Sequence, residues 1–408
     1  MKINSGCRDC GSKNLVKFLD LTDQPPANRF LKIEEFATER RYPLQGYFCE
    51  SCHLAQLIHV VDKEELFSHY LYFSAGMPKV SAYWQSYAED VMKRFLSKND
   101  FVAEIGSNDG ILLKFFKDSG YKVLGIDPAE NIAPVAEKIG VPTLVDFFNE
   151  AIGKEIAKKH GQAKAILANN VVAHIDDHLG LCAGIRSLLH PDGAWVIEAP
   201  YLIDMFQNLT YDTIYHEHLS FLAVRPLSKL FARYGLEIFD LYIVPAQGQS
   251  LRLFVGHQGK HPVTQRVRDA LKQEQEYKLD DKKSYIELAK RVEGSRTKLV
   301  SLLKDLKKQG KRIAAYGAPA KGMTLLNYCK IGPDLLEYAL DDLPSKQELY
   351  TPGMHVRVVG REYAEKNPPD YYLLLAWNYL PAILEKEKQF QKKGGKFIIP
   401  VGDDIKII

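Results

Sequence analysis

Residues 213–222 read TIYHEHLSFL, so Tyr215, His216, Glu217 and His218 stand in a row. These residue types suit proton transfer. A neutral imidazole with an ordinary pKa near ~6.5 accepts a proton at cytosolic pH. A phenol donates to a developing oxyanion, and a carboxylate orients the imidazole and stabilises its charged form. Two other readings compete with a base at His218. Histidines two apart could share a metal ion, but zinc sites take at least three protein ligands and no third is evident. The run could also be a buried polar turn.

Four of the six cysteines form two pairs, Cys7-x-x-Cys10 and Cys49-x-x-Cys52. Disulfides are rare in a reducing compartment. Two such knuckles ahead of a larger domain predict a tetrahedral zinc site with four thiolate ligands, a closed shell that folds the chain and does no catalysis. His53 is read as a neighbour and not a ligand. The competing reading is one redox pair plus two incidental cysteines.

A further motif, EIGSNDG, contributes Glu104, Gly106, Ser107, Asn108 and Asp109. It lacks the G-x-G-x-x-G that brings backbone to a pyrophosphate, and Asp109 repels phosphate. The loop suits a cationic ligand without phosphates, such as S-adenosylmethionine. Asp127, ending the next strand, is placed to accept both ribose hydroxyls, a contact NAD would also use. Asn169 and Asn170 lie at the methionine end. His174 is a second base candidate, a sugar contact, or simply a helix-start histidine beside Asp176 and Asp177. In YGAPAKGMT, Met323 stands where a P-loop requires lysine. Gly317 and Lys321 there could hold the diphosphate of a sugar nucleotide at a helix N-terminus, or mark a purely structural turn.

The elements that must position these residues follow from periodicity. Strands at Phe101–Ile105, KVLGID, residues 142–145, AKAILANN and AWVIEAP alternate with helices, which predicts a parallel sheet wound on both faces. LEIFDLYIVPA and QSLRLFVGH read as a closing antiparallel pair. The fold class is α/β in three parts: a small zinc-binding domain over 1–70, a Rossmann-like sheet over 71–262, of the class I methyltransferase type if its loop takes S-adenosylmethionine, and a smaller Rossmann-like domain over 310–408. Residues 263–309, almost free of glycine and proline, read as one or two long connecting helices; the competing reading is a mere solvated spacer.

With 408 residues, 46% hydrophobic and 26% charged, the chain has the composition of a soluble globular protein. A net charge of +3 argues against a nucleic-acid partner. No signal-like leader or membrane-length apolar run is visible, so a cytoplasmic location is expected. The expected assembly is a monomer or a small homo-oligomer.

Taken together, the two CxxC knuckles, YLYFSAG, EIGSNDG, NNVVAHI, YHEHLSF, YGAPAKG and LAWNY resemble the zinc-containing sugar C-methyltransferases, in this order and across nearly the whole chain. The resemblance implies S-adenosylmethionine as methyl donor, structural zinc, and a dTDP-type 4-keto-6-deoxyhexose methylated at C3. It also implies His218 as general base, with Tyr215 and Glu217 as companions, and Tyr72 and Ser74 closing over the cofactor. Where related chains carry paired glycines, this one has Gln249 before Ser250. The residues agree with that chemistry. Carbon becomes a nucleophile once a proton beside a ketone is removed, and the resulting enolate needs a base, an oxygen donor and an in-line methyl sulfonium. The alternatives from the residues alone are a nicotinamide-dependent oxidoreductase or epimerase on a sugar nucleotide, and a zinc-ribbon interaction scaffold.

Overall fold

The structure, a computed structural model, describes residues 1–67, 78–245 and 248–408. The central sheet runs in the spatial order Leu236–Val244, Ser250–His257, Leu189–Pro200, Ala163–Asn169, Phe101–Ile105, Lys122–Ile126 and Thr143–Leu144. Only Ser250–His257 runs antiparallel to its neighbours. Both faces are covered, which is why these strands read as continuous apolar runs. Val102, Leu167 and Val196 pack with Leu112, Leu113 and Phe116 of the helix Ile111–Asp118 on one face. Ala103, Ile166 and Ile197 pack with Leu181 and Ile185 of the helix His178–Leu188 on the other. The expected strands are all present. A helix at Glu150–His160, capped by the Asn149 side chain, was not legible beforehand because lysines and glutamates dilute its apolar stripe.

The N-terminal sheet holds Leu15–Gln24, Tyr42–Cys49 and Ala55–Leu57, and its fourth strand is Ser220–Phe221. Residues 1–70 therefore do not close their own sheet. The two residues that follow YHEHL supply the edge, pairing with Gln56 and Ala55. An edge strand needs partners for its backbone groups, and here that need anchors the candidate catalytic segment.

The two expected connecting helices are Gln265–Glu276 and Lys282–Lys308, and they are not a mere solvated spacer. Tyr285 is fully buried, with ring centroids 5.0 Å from Phe18, 4.5 Å from Phe48 and 5.1 Å from Phe206. Such aromatic pairs contribute about 0.5–1.5 kcal/mol each beyond burial. The buried Glu274 carboxylate accepts hydrogen bonds from the Val224 and Arg225 amides and the Tyr201 hydroxyl, capping the helix Val224–Ala232 from outside it.

The C-terminal sheet has the order Val358–Val359, Ala339–Leu340, Ile313–Tyr316, Tyr371–Leu374, Lys396–Ile399 and Lys406–Ile407. All pairs are parallel except the last. The chain ends at the sheet edge, where residues 406–407 fold back onto Lys396–Ile399. The helix Ala320–Cys329 is buried from Lys321 onward, and Thr324 Oγ1 donates to the carbonyl of Ile214 at 2.9 Å. The YHEH segment therefore lies where three sheets meet.

Candidate active site and zinc centre

Tyr215 and His218 meet because the chain turns between them: the His218 amide donates to the Tyr215 carbonyl at 2.8 Å. The Tyr215 hydroxyl lies 2.8 Å from His218 Nε2, and His218 Nδ1 lies 2.7 Å from the Thr213 carbonyl oxygen. A carbonyl only accepts, so Nδ1 carries the proton and Nε2 is the acceptor, taking the tyrosine's O–H. The rings are 4.0 Å apart at 33°. His174 joins them, its ring centroid 4.9 Å from that of His218. A cavity of about 20 Å³ opens beside His218, lined in part by Asp204, Met205, Thr210 and Thr213.

Burial pushes the His218 imidazole down to about 4, with the nearby Lys321 charge adding to the effect and the Thr213 carbonyl opposing it. The imidazole is therefore neutral at physiological pH, but for a different reason from its ordinary pKa. Burial also holds His174 well below the usual range. His216 turns the other way, with Nε2 donating to the Tyr42 carbonyl at 3.2 Å, and burial lowers it to about 4. Glu217 Oε1 accepts from Asn28 Nδ2 at 2.7 Å. The orienting contact on His218 Nδ1, expected from Glu217 or another carboxylate, is made by the Thr213 carbonyl. Glu217 lies within the turn that brings Tyr215 to His218, and its carboxylate reaches toward Asn28.

These shifts carry a pH consequence. A histidine held neutral near about 4 when folded, but titrating near ~6.5 when unfolded, binds fewer protons in the native state between those values. Its stabilising contribution is complete above ~6.5 and is lost as pH falls toward ~4, about 3 kcal/mol for each of His216 and His218. Melting temperature is expected to fall over that window and to fall less steeply in a His216→Gln, His218→Gln double variant. Parallel curves for the two proteins would refute this assignment.

Around Lys321, a candidate from the sequence, the structure gathers Asp204, Asp212 and Trp377, which sequence reasoning missed. Lys321 is buried with its ammonium 4.1 Å over the Trp377 ring, and Trp377 Nε1 donates to Asp212 Oδ2 at 2.7 Å. Burial lowers Lys321 to about 8 against the opposing charges of Asp212 and Asp204, and burial raises Asp212 to about 6. Asp204 accepts from Asn208 and Thr210. Asp212 and Trp377 lie inside motifs visible in the chain, YDTIYHEH and LAWNY, but nothing in either motif pairs them. Gly317 has φ +81° and its amide donates to the Leu340 carbonyl at 2.7 Å; a Cβ there would meet Ala376 at 2.9 Å. Its demonstrable task is this close approach.

The first glycine loop leaves the carboxyl end of Phe101–Ile105, the edge where ligands bind in such sheets. Gly106 has φ +67°, and a Cβ there would press on Val171 at 3.0 Å. Asp127 Oδ2 accepts the Asn108 amide at 2.8 Å and Oδ1 the Ala129 amide at 2.9 Å. Each carboxylate oxygen keeps a second lone pair for a ribose hydroxyl. Glu104 is buried and burial raises its carboxyl well above the usual range, with Asn169 Nδ2 3.3 Å from Oε1. Ser107 and Asp109 are also buried. Tyr72 and Ser74 lie outside the described residues.

The Sγ atoms of Cys7, Cys10, Cys49 and Cys52 all lie within 4.8 Å of one another, with Cys7–Cys52 at 3.4 Å and Cys10–Cys49 at 3.6 Å. Zn–S bonds of about 2.3 Å in a tetrahedron put sulfurs just under about 4 Å apart, so the donor set and its size fit zinc. Hydrogen bonding among the thiols holds Cys49 below its usual range and pushes Cys7 and Cys52 above theirs, so a metal that binds all four as thiolates must displace protons. Gln56 Nε2 donates to Cys7 Sγ at 3.1 Å, a neighbour typical of a metal-bound thiolate.

Comparison with known proteins adds the following. Family models match in three blocks: "Putative zinc binding domain" over 7–67, "Methyltransferase domain" over 81–241 and "C-methyltransferase C-terminal domain" over 245–402. The C-methyltransferase NovU of Streptomyces niveus is 35% identical across 97% of this chain and 95% of its own length. Among solved structures, a magnesium protoporphyrin IX methyltransferase of Synechocystis with bound S-adenosylmethionine is similar over 44% of this chain and 79% of its own, at 11% identity and a TM-score of 0.34. A ribosomal protein L11 methylase of Lactobacillus delbrueckii covers 46% of this chain and 82% of its own, at 16% identity and a TM-score of 0.32.

Proposed function

Since this chain belongs to the S-adenosylmethionine-dependent C-methyltransferases with an N-terminal zinc-binding domain, we propose that it methylates C3, beside the ketone, of a nucleotide-linked 4-keto-6-deoxyhexose, through an enolate. The observation that carries this reading is the Tyr215 hydroxyl resting on the unprotonated Nε2 of a buried, neutral His218.

S-adenosylmethionine supplies an electrophilic methyl group, and the chain's residues supply the nucleophile. The tyrosine has one hydroxyl proton to give. When a ketone oxygen takes that hydrogen bond, Nε2 is released toward the adjacent C–H. The proton moves to Nε2, the C–H electron pair becomes the enolate, and Tyr215 holds the oxyanion. Burial disfavours an isolated imidazolium, but the enolate formed in the same step provides the opposite charge. With S-adenosylmethionine held by the residues assigned below, the enolate carbon would be the nucleophile for its methyl group, the S–CH3 bond breaking to leave S-adenosylhomocysteine. Thr213 keeps the Nδ1 proton in place and so fixes the tautomer. Lys321 and Gly317 are assigned to the substrate's diphosphate side, His174 to the sugar, and Glu217 to bracing the turn through Asn28. Glu104, Gly106, Ser107, Asn108, Asp109, Asp127 and Asn169 are assigned to the cofactor.

The test is incubation of the protein with S-adenosylmethionine and a panel of nucleotide-linked 4-ketosugars, followed by mass spectrometry. The expected product gains one methylene and loses one exchangeable ring hydrogen. Methylation of an acceptor lacking the nucleotide, with every nucleotide ketosugar untouched, would overturn the substrate assignment.

A further inference from the structure

We propose that Arg8, between the first two zinc ligands, is a positioning residue for the base: its guanidinium holds the backbone immediately after His218. The proposal rests on His218 being that base. Arg8 is buried, and its Nη1 donates to the Leu219 carbonyl and to Ser220 Oγ, the latter at 2.9 Å. Nη2 donates to the Leu57 carbonyl at 2.7 Å and lies 3.4 Å from Asp176 Oδ1. One planar fork thus ties the strand Ala55–Leu57 to the residues that follow the base.

The knuckle fixes where that fork starts. The Arg8 amide donates to Gln56 Oε1 at 3.1 Å, and the same Gln56 side chain donates to Cys7 Sγ. The next residue holds the other histidine loop. Asp9 Oδ1 lies 2.7 Å from His178 Nδ1, and His178 Nε2 lies 3.1 Å from the Val172 carbonyl, two residues before His174. The Leu219 amide joins the two loops by donating to the Ala173 carbonyl at 2.8 Å. Burying a guanidinium is costly, and here the Nη donors are satisfied in fixed directions while the buried Nε has no hydrogen-bond partner. Lysine, a point charge on a flexible stem, cannot hold these acceptors at once. The zinc knuckle therefore sets the aim of His218 and His174 as well as folding the N-terminal sheet.

The experiment uses the full-length, zinc-loaded protein with Arg8→Lys. Zinc content by elemental analysis and S-adenosylhomocysteine affinity by calorimetry are expected to stay within about twofold. KM is expected to change little, whereas kcat and the exchange of the substrate's C3 hydrogen with solvent deuterium fall together by about 10–100-fold, the scale of a misplacement near 1 Å. Kcat and exchange within about twofold of the parent would overturn the proposal. So would a loss matched by an equal loss of zinc or of cofactor affinity, which reports general damage. Should the lysine variant not fold, Ser220→Ala removes one acceptor and leaves the knuckle whole; undiminished exchange in it counts against Arg8, and slowed exchange at constant zinc supports it. A His218→Ala protein that still exchanges and methylates normally would remove the base assignment itself. An inactive His218→Ala protein beside a normal Arg8→Lys protein would remove only the role of Arg8.

Discussion

Substituting His218 with alanine is expected to lower methyl transfer by roughly 10²–10⁴-fold while S-adenosylhomocysteine affinity stays within about twofold. His218 is hydrogen-bonded to Tyr215 and Thr213, neither of which is assigned to the cofactor, so its loss is expected to leave the assigned cofactor contacts intact. The partner change, Tyr215→Phe, is expected to slow turnover by roughly 10²–10³-fold, the worth of one oxyanion donor at about 3–4 kcal/mol. Because the hydroxyl rests on Nε2 at 2.8 Å, the two losses are not independent. A double variant should fall well short of the product of the single effects, as groups acting in one step do. Full activity of the alanine variant would exclude His218 as the base. A phenylalanine variant with weakened cofactor binding and normal turnover would exclude the oxyanion role for Tyr215.

The second large effect concerns zinc. One ion per chain is expected, and stripping it, or making Cys49→Ser, is expected to abolish the folded N-terminal sheet and methyl transfer together. Structural zinc bound by thiolates contributes about 10–16 kcal/mol of apparent binding free energy near neutral pH, more than a domain's usual net stability. Damage should not stop at residue 70. Ser220–Phe221 is a strand of that sheet, and Arg8 and Asp9 hold the loops carrying His218 and His174. Melting of the stripped protein should therefore lose cooperativity as well as midpoint. A protein free of zinc by elemental analysis, with parental melting and turnover, would dispose of the four-thiolate centre.

Local chemistry was legible where neighbours in sequence are neighbours in space. The CxxC spacing aims two thiolates at one point, and Gly106 at φ +67° belongs to a strand-to-helix turn that its own motif announces. Apolar runs flanked by helical periodicity gave every strand of the central sheet. The Tyr215–His218 pairing is of the same kind, because four residues of one turn suffice to make it.

What lay beyond such windows was settled by packing. Glu217 stands beside His218 in the chain, yet its carboxylate accepts from Asn28, 189 residues away, and a peptide carbonyl takes the imidazole Nδ1 proton. The lysine of the second glycine loop lies over Trp377 beside Asp212, a meeting of separate sheets.

The sequence by itself determined the chemistry on offer: four thiolates for a metal, a glycine turn with an acid for the cofactor, and an imidazole with a phenol for a proton. These depend on residue type and short spacing, which backbone geometry translates directly into position. Tertiary structure alone decided the state and aim of those groups. Burial drops His218 to about 4, the zinc knuckle's arginine grips the chain beside it, and a C-terminal lysine adds its charge. Desolvation and long-range contacts are properties of the packed chain, and no local stretch encodes them.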